Sequence, residues 1–230
     1  MRLRSAPLGA DRRVCVLVTD RRDGDLAIST DPDQLERRRR AIVDRPWVWT
    51  RQVHGAGVLV IDADSDVTTA NGTEADAIVT LRSDVAIAAH SADCATVALW
   101  APEGVIGVVH AGWRGLLVDV IGAAITTMRS LGATTIRAAT GPSIGPECYE
   151  FGSDDLAELR AELGDSVVAA TATGAPALDV RAAVAGRLDQ AGVMAVDIDD
   201  RCTGCEAEQF WSHRIRSDTA RQALVVWSEP

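Results

Sequence analysis

The residues able to do metal or nucleophilic chemistry are few: histidines at 54, 90, 110 and 213, and cysteines at 15, 94, 148, 202 and 205. His54 follows a β-prone run in "WTRQVHGAG", Cys94 lies inside "AIAAHSADCATVALW", and His110 closes the apolar run "VIGVVH". All three stand at strand ends or in the turns beside them, positions that can converge at one sheet edge. Two imidazoles and a thiolate suit zinc, with three protein ligands leaving a fourth position open for water or substrate. Separations of 40 residues from His54 to Cys94 and 16 from Cys94 to His110 match no short metal motif. A buried cysteine and two hydrogen-bonded histidines would fit the same spacing. The set also suits a blue-copper centre. A multicopper cluster needs more than the four histidines present, and Met1, Met128 and Met194 stand in no clear axial position, so zinc is preferred and copper disfavoured.

Neighbouring residues add candidates. Asp93 could accept a proton or orient a ligand histidine through its free ring N–H; it could equally cap a turn. Arg114, in "HAGWRG", sits at a glycine-lined strand-to-helix junction suited to an anion such as phosphate, or it pairs with a surface carboxylate. Gln52 could bond a substrate or serve its strand. "GPSIGPECYEF" can turn backbone amides toward a ligand, with Ser143 as a substrate contact, or form a rigid turn. His213, in "FWSHR", is a candidate for a pocket wall, and His90 for the core or its rim. Cys148 is either near the site or buried and inert. "CTGC" at 202–205 is a lone CxxC, which without a second pair is a weak signal for structural zinc or redox chemistry.

The elements that must position these groups follow from hydrophobic patterning. Apolar runs at 14–18, 58–61, 77–81, 85–89, 96–100, 105–109, 136–139, 194–198 and 223–227 read as strands. Helices are expected over 31–43 with Asp31 as cap, 116–132 with Gly132 as stop, 153–164 with Ser153 as cap, and 180–192. Some strands alternate with helices and others follow one another directly, which predicts a mixed α/β fold. The polar segment 62–76 reads as a loop. No linker and no internal repeat divides the chain, so residues 1–230 are expected to form a single domain.

Composition narrows the partners. The 230 residues are 47% hydrophobic and 24% charged, ordinary for a globular chain. The net charge of −10 disfavours nonspecific nucleic-acid binding. All 23 basic residues are arginine. No apolar stretch is long enough to span a membrane, and the first twenty residues lack a secretory apolar region, so a cytoplasmic protein is expected. Five cysteines, an odd number, argue against a disulfide framework.

"RQVHG", "ADAIVT", "SADCATVALW", "VVHAGWRG" and "GPSIGPECYEF", in that order, resemble signature segments of the YfiH/YlmD family, also called the laccase-domain or multicopper polyphenol oxidase family. The resemblance runs from about residue 45 to 151 and continues more weakly through "RCT", "FWSHR" and "ARQALVVW". It implies that His54, Cys94 and His110 bind zinc, about one ion per chain. It implies a single-domain layered α-β-β-α sandwich with mixed sheets. It also implies a purine nucleoside phosphorylase acting on adenosine, inosine, guanosine or methylthioadenosine, with adenosine deamination as a related activity. Phosphate and nucleoside would be the partners, and the protein a monomer or homodimer. The alternatives are a hydrolase editing cell-wall precursors, a copper phenol oxidase, and a metal-stabilised binding module without catalysis. One departure bears on substrate choice: "TDRRDGDLAIST" is shorter than the family's Gly- and Ser-rich loop and lacks its asparagine.

Overall fold

The computed structural model describes residues 2–9 and 11–230. In chain order the first strands and helices are β1 Arg2–Pro7, β2 Arg13–Val18, α1 Pro32–Ile42, β3 Trp47–Trp49, β4 Val58–Ile61, α2 Val67–Ala70, β5 Ala77–Thr80, β6 Ala86–Ser91 and β7 Ala95–Trp100. They are followed by β8 Ile106–Ala111, α3 Trp113–Leu117, α4 Val120–Ser130, β9 Arg137–Thr140, α5 Ser153–Leu163, β10 Val168–Ala170 and β11 Pro176–Leu178. The chain ends with α6 Val180–Gln190, β12 Met194–Asp197, α7 His213–Arg216 and β13 Gln222–Glu229.

Two large mixed sheets result. One has the order β1-β2-β13-β6-β3, the other β12-β9-β7-β8-β5-β4, and β10 and β11 form a separate hairpin. Strand alternation assigns the layers. Val14, Val16 and Val18 of β2 join Ile106 and Val108 of β8 in the core between the sheets. Cys15 and Leu17 point the other way, into a cluster with Leu35 of α1. Val97, Leu99 and Val109 face a third cluster built with α4, α5 and α6. The order of layers is therefore helix, sheet, sheet, helices: an α-β-β-α sandwich.

Caps explain where helices begin. Asp31 accepts the Gln34 N–H at 3.0 Å, and Asp179 accepts that of Ala182 at 2.9 Å. Three expectations need correction. The helix over 116–132 is two helices: α3 begins at Trp113, and the chain breaks at Asp119, whose φ of 57° is left-handed and whose carboxylate caps α4 through Gly122. Ser153 is the first helical residue of α5, not its cap; Gly152 occupies that position with no side-chain bond. The segment 62–76 contains the short helix α2. Arg187 of α6, 6% exposed, donates to Leu116 O and Leu117 O at 3.0 Å each, fixing α3 behind the end of β8.

Candidate metal centre and its cavity

His110 is the fifth residue of β8, and parity places it on the face of Ile106 and Val108, between the sheets. Cys94 lies in the turn from β6 of one sheet to β7 of the other. His54 follows β3 and holds a left-handed φ of 61°. Strand ends from both sheets thus bring the three residues together, with their ligand atoms all within 4.8 Å of one another. His54 Nε2 is 3.6 Å from Cys94 Sγ, and the two imidazole rings meet edge to face at 4.8 Å between centroids.

Asp76 organises this cluster, and the sequence reading assigned it no role although it lies within "ADAIVT". Its buried carboxylate accepts the backbone N–H groups of Val53, His54 and Gly55 at 3.2, 3.0 and 2.7 Å. It also takes His110 Nδ1 at 2.9 Å. That contact commits Nδ1 to Asp76, so Nε2 is the nitrogen that would bind a metal, once its proton is lost. Burial pushes the Asp76 carboxyl up, but the bond and charge of His110 and the N–H groups of Gly55 and His54 outweigh it, so it titrates below its ordinary value.

The other two ionisable partners shift together. Burial raises the Cys94 thiol, yet the charge of His110 and bonds from both imidazoles prevail and favour the thiolate. Burial lowers His110, and the Cys94 thiolate with Asp76 reverses the effect. Gly112 completes the cradle: a Cβ there would overlap the His54 ring and stand 3.3 Å from Cys94 Sγ. The donor set of two nitrogens and one sulfur, the thiolate-favouring field and the oriented imidazole fit zinc held by His54, Cys94 and His110.

A cavity of about 430 Å³ opens onto the cluster, and all four histidines line it. Gln52 is in its wall, but both ends of its amide engage the His90 main chain, at 2.7 and 2.8 Å, extending the pairing of β3 with β6. His90 is 6% exposed, and neither of its ring nitrogens has a partner among the described residues. Burial and the charge of Arg39 push its pKa down to about 3, so it is neutral. His213, exposed at the start of α7, borders the opening, as do Ala27, Ile28 and Ser29 from the loop whose sequence departs from the family pattern. Arg51 and Arg221 also line it; the Arg51 guanidinium pairs with Glu74, and that of Arg221 donates to the Asp218 and Ala220 carbonyls at 3.1 and 2.9 Å.

The structure does not bring every candidate to the cavity. Arg114 is exposed on α3, with its guanidinium 4.2 Å from the centroid of Trp113. Ser143 is buried, paired through the backbone with Cys202. Asp93 touches neither ligand histidine ring among its hydrogen bonds. Its carboxylate accepts Thr203 Oγ1 and the Arg214 N–H, each at 2.6 Å, while its carbonyl accepts the Ile144 N–H. Its φ of 104° is strained for a non-glycine residue. Asp93, which immediately precedes Cys94, therefore anchors the segment carrying His213 beside the candidate ligand.

Comparison with known proteins places the chain in a family and supports its fold. A purine nucleoside phosphorylase of Streptomyces coelicolor is 40% identical over 186 residues, covering 78% of this chain and 74% of the relative. A protein named adenosine deaminase, from an unknown prokaryotic organism, is 37% identical over 180 residues, covering 73% and 69%. The crystal structure of YlmD from Geobacillus stearothermophilus superposes with a TM-score of 0.80 at 27% identity, covering 98% of this chain and 94% of that one. Residues 17–229 match the family described as multi-copper polyphenol oxidoreductase laccase, and the chain belongs to that YfiH-like family.

Proposed function

We propose that this protein is a zinc-dependent purine nucleoside phosphorylase, with adenosine deamination as a second activity of the same cavity. The observation that carries this reading is the convergence of His54, Cys94 and His110 on a cavity whose lining also includes Arg51, Arg221, His90 and His213. The names of the relatives, phosphorylase and deaminase, support it. In phosphorolysis a phosphate oxygen forms a bond to ribose C1′, the C1′–N bond breaks, and the base departs with its electron pair and takes up a proton. When bound, zinc supplies Lewis acidity at its open coordination position.

The chain's own groups divide the remaining work. Arg51 and Arg221 are placed to hold phosphate, since the chain has no lysine. His213 is the cavity imidazole most open to solvent and is assigned proton transfer to the leaving base. Neutral His90, with both ring nitrogens unpartnered, can offer one donor and one acceptor to a polar base edge. Asp93 acts through position, holding Arg214 and with it His213. The test is to incubate zinc-loaded protein with a nucleoside panel, with and without phosphate, and to quantify free base and ammonia. Base release that requires phosphate supports phosphorolysis, and ammonia from adenosine supports deamination. Neither product from any nucleoside overturns the reading.

A further inference from the structure

A second group of candidate ligands, three thiols and a carboxylate, lies outside the cavity wall. Glu147, Cys148, Cys202 and Cys205 place one ligand atom each within 4.8 Å of all the others. Cys148 Sγ is 3.4 Å from Cys205 Sγ, and Cys205 Sγ is 3.6 Å from Glu147 Oε1. Sulfur atoms bound to one tetrahedral zinc at ~2.3 Å stand roughly 3.8 Å apart, so the cluster has the dimensions of such a site. The Gly145 N–H points to Cys202 Sγ at 3.1 Å, a bond that stabilises a thiolate. The glycines are fitted to the group. A Cβ on Gly145 would overlap the Glu147 carboxylate, and one on Gly204 would stand 2.9 Å from Cys148 Cβ and 3.0 Å from its Sγ.

We propose that Glu147, Cys148, Cys202 and Cys205 form a second, closed zinc site that clamps the 145–148 turn to the 202–205 loop. Four protein donors fill the tetrahedron and leave no position for substrate, so the role is structural. A disulfide between Cys148 and Cys205 would use two of the four groups and leave Cys202 and Glu147 unexplained. The clamp bears on the first centre through Asp93. Ile144, next to the first clamped segment, and Thr203, within the second, both bond Asp93, which is held at a φ of 104° immediately before Cys94. Fastening the two segments together braces that strained residue. The expected load rises from one zinc per chain to two.

The experiment measures zinc per chain in reduced, zinc-loaded wild type, His110→Ala, Cys205→Ser and the Cys148→Ser/Cys205→Ser double variant. X-ray absorption is recorded on the His110→Ala protein. Cys205 is exposed, so its serine variant tests the site with little disturbance of packing. The proposal expects two zincs in wild type, one in either cysteine variant, and a sulfur-dominated zinc shell in His110→Ala. Loss of one zinc on Cys205→Ser supports the clamp however His110→Ala behaves, so failure of the first centre and failure of this one are distinguishable. A wild-type load unchanged by both cysteine variants overturns the proposal, as does a Cys148–Cys205 disulfide in wild type that persists under zinc loading.

Discussion

Asp76 and His110, 34 residues apart in sequence, are joined twice: Asp76 Oδ1 lies 2.9 Å from His110 Nδ1, and the Asp76 carbonyl accepts the His110 N–H at 2.7 Å. The same carboxylate gathers the backbone of the loop that carries His54. One buried acid thus orients two of the three candidate ligands. Asp76→Asn keeps the shape but weakens both functions of the carboxylate. We expect zinc affinity to fall roughly 10- to 100-fold, the usual cost of losing such a supporting partner. Chelator competition against wild type measures it, and an unchanged affinity would show that Asp76 is only a fold residue.

The same acid sets a pH dependence in the metal-free protein. Its folded pKa lies below its ordinary value, so it contributes stability that is complete above the unfolded pKa and lost as pH falls through the folded one. The stability gap between wild type and Asp76→Asn should be level from about pH 5 to 6, shrink toward alkaline pH as His110, whose pKa Asp76 helps to raise, loses its proton, and close below roughly pH 4. Urea denaturation at several pH values reads this directly. A gap that widens as pH falls below about 5 would reverse the sign assigned to Asp76.

Gly112 is the least replaceable glycine of the site, because the His54 ring and Cys94 Sγ occupy the space of its missing side chain. Gly112→Ala should fold, since its backbone φ of −68° suits any residue, yet lose zinc by displacing His54. Zinc content together with circular dichroism separates the two effects. Full zinc occupancy in the alanine variant would mean that the ligand loop is more pliant than the packing indicates.

The meeting of His54, Cys94 and His110 was legible in part, because each ends or follows an apolar run and strand ends can converge at a sheet edge; their reading as a ligand set came from the family resemblance. Asp76 was not legible, since its role depends on the antiparallel pairing of β5 with β8, which aligns Ala77 with Val109. Cys148 and the CxxC stood apart in sequence because their meeting is tertiary: a backbone bridge between Ser143 and Cys202 and the Gly145 N–H bond to Cys202 Sγ join their segments. Among the elements, β1 escaped notice because "RLRSAP" carries no apolar run, as suits an edge strand. The break at Asp119 was hidden because the apolar stripe continues through it; the interruption is a single left-handed residue. Arg114 looked placed for an anion by its glycine neighbours, but α3 turns it outward onto Trp113.

That placement separates two arginines. Arg221 lies in the cavity wall and Arg114 does not line it. Arg221→Ala should raise the phosphate KM by about ten- to a hundredfold, the loss of one charge-assisted contact. Arg114→Ala should leave it within about twofold, as an exposed substitution does. Initial rates at varied phosphate decide between them, and the opposite ranking would move the phosphate site to the start of α3.

The central claim is that the His54, Cys94 and His110 centre supports phosphorolysis in the adjoining cavity. Its most direct test is phosphorus NMR of adenosine and inorganic phosphate incubated with zinc-loaded wild type and with a folded His110→Ala variant. The account predicts ribose 1-phosphate forming in step with free adenine in wild type, and neither product above background in the variant. Equal ribose 1-phosphate formation by the two proteins, or none by fully zinc-loaded wild type, would contradict it.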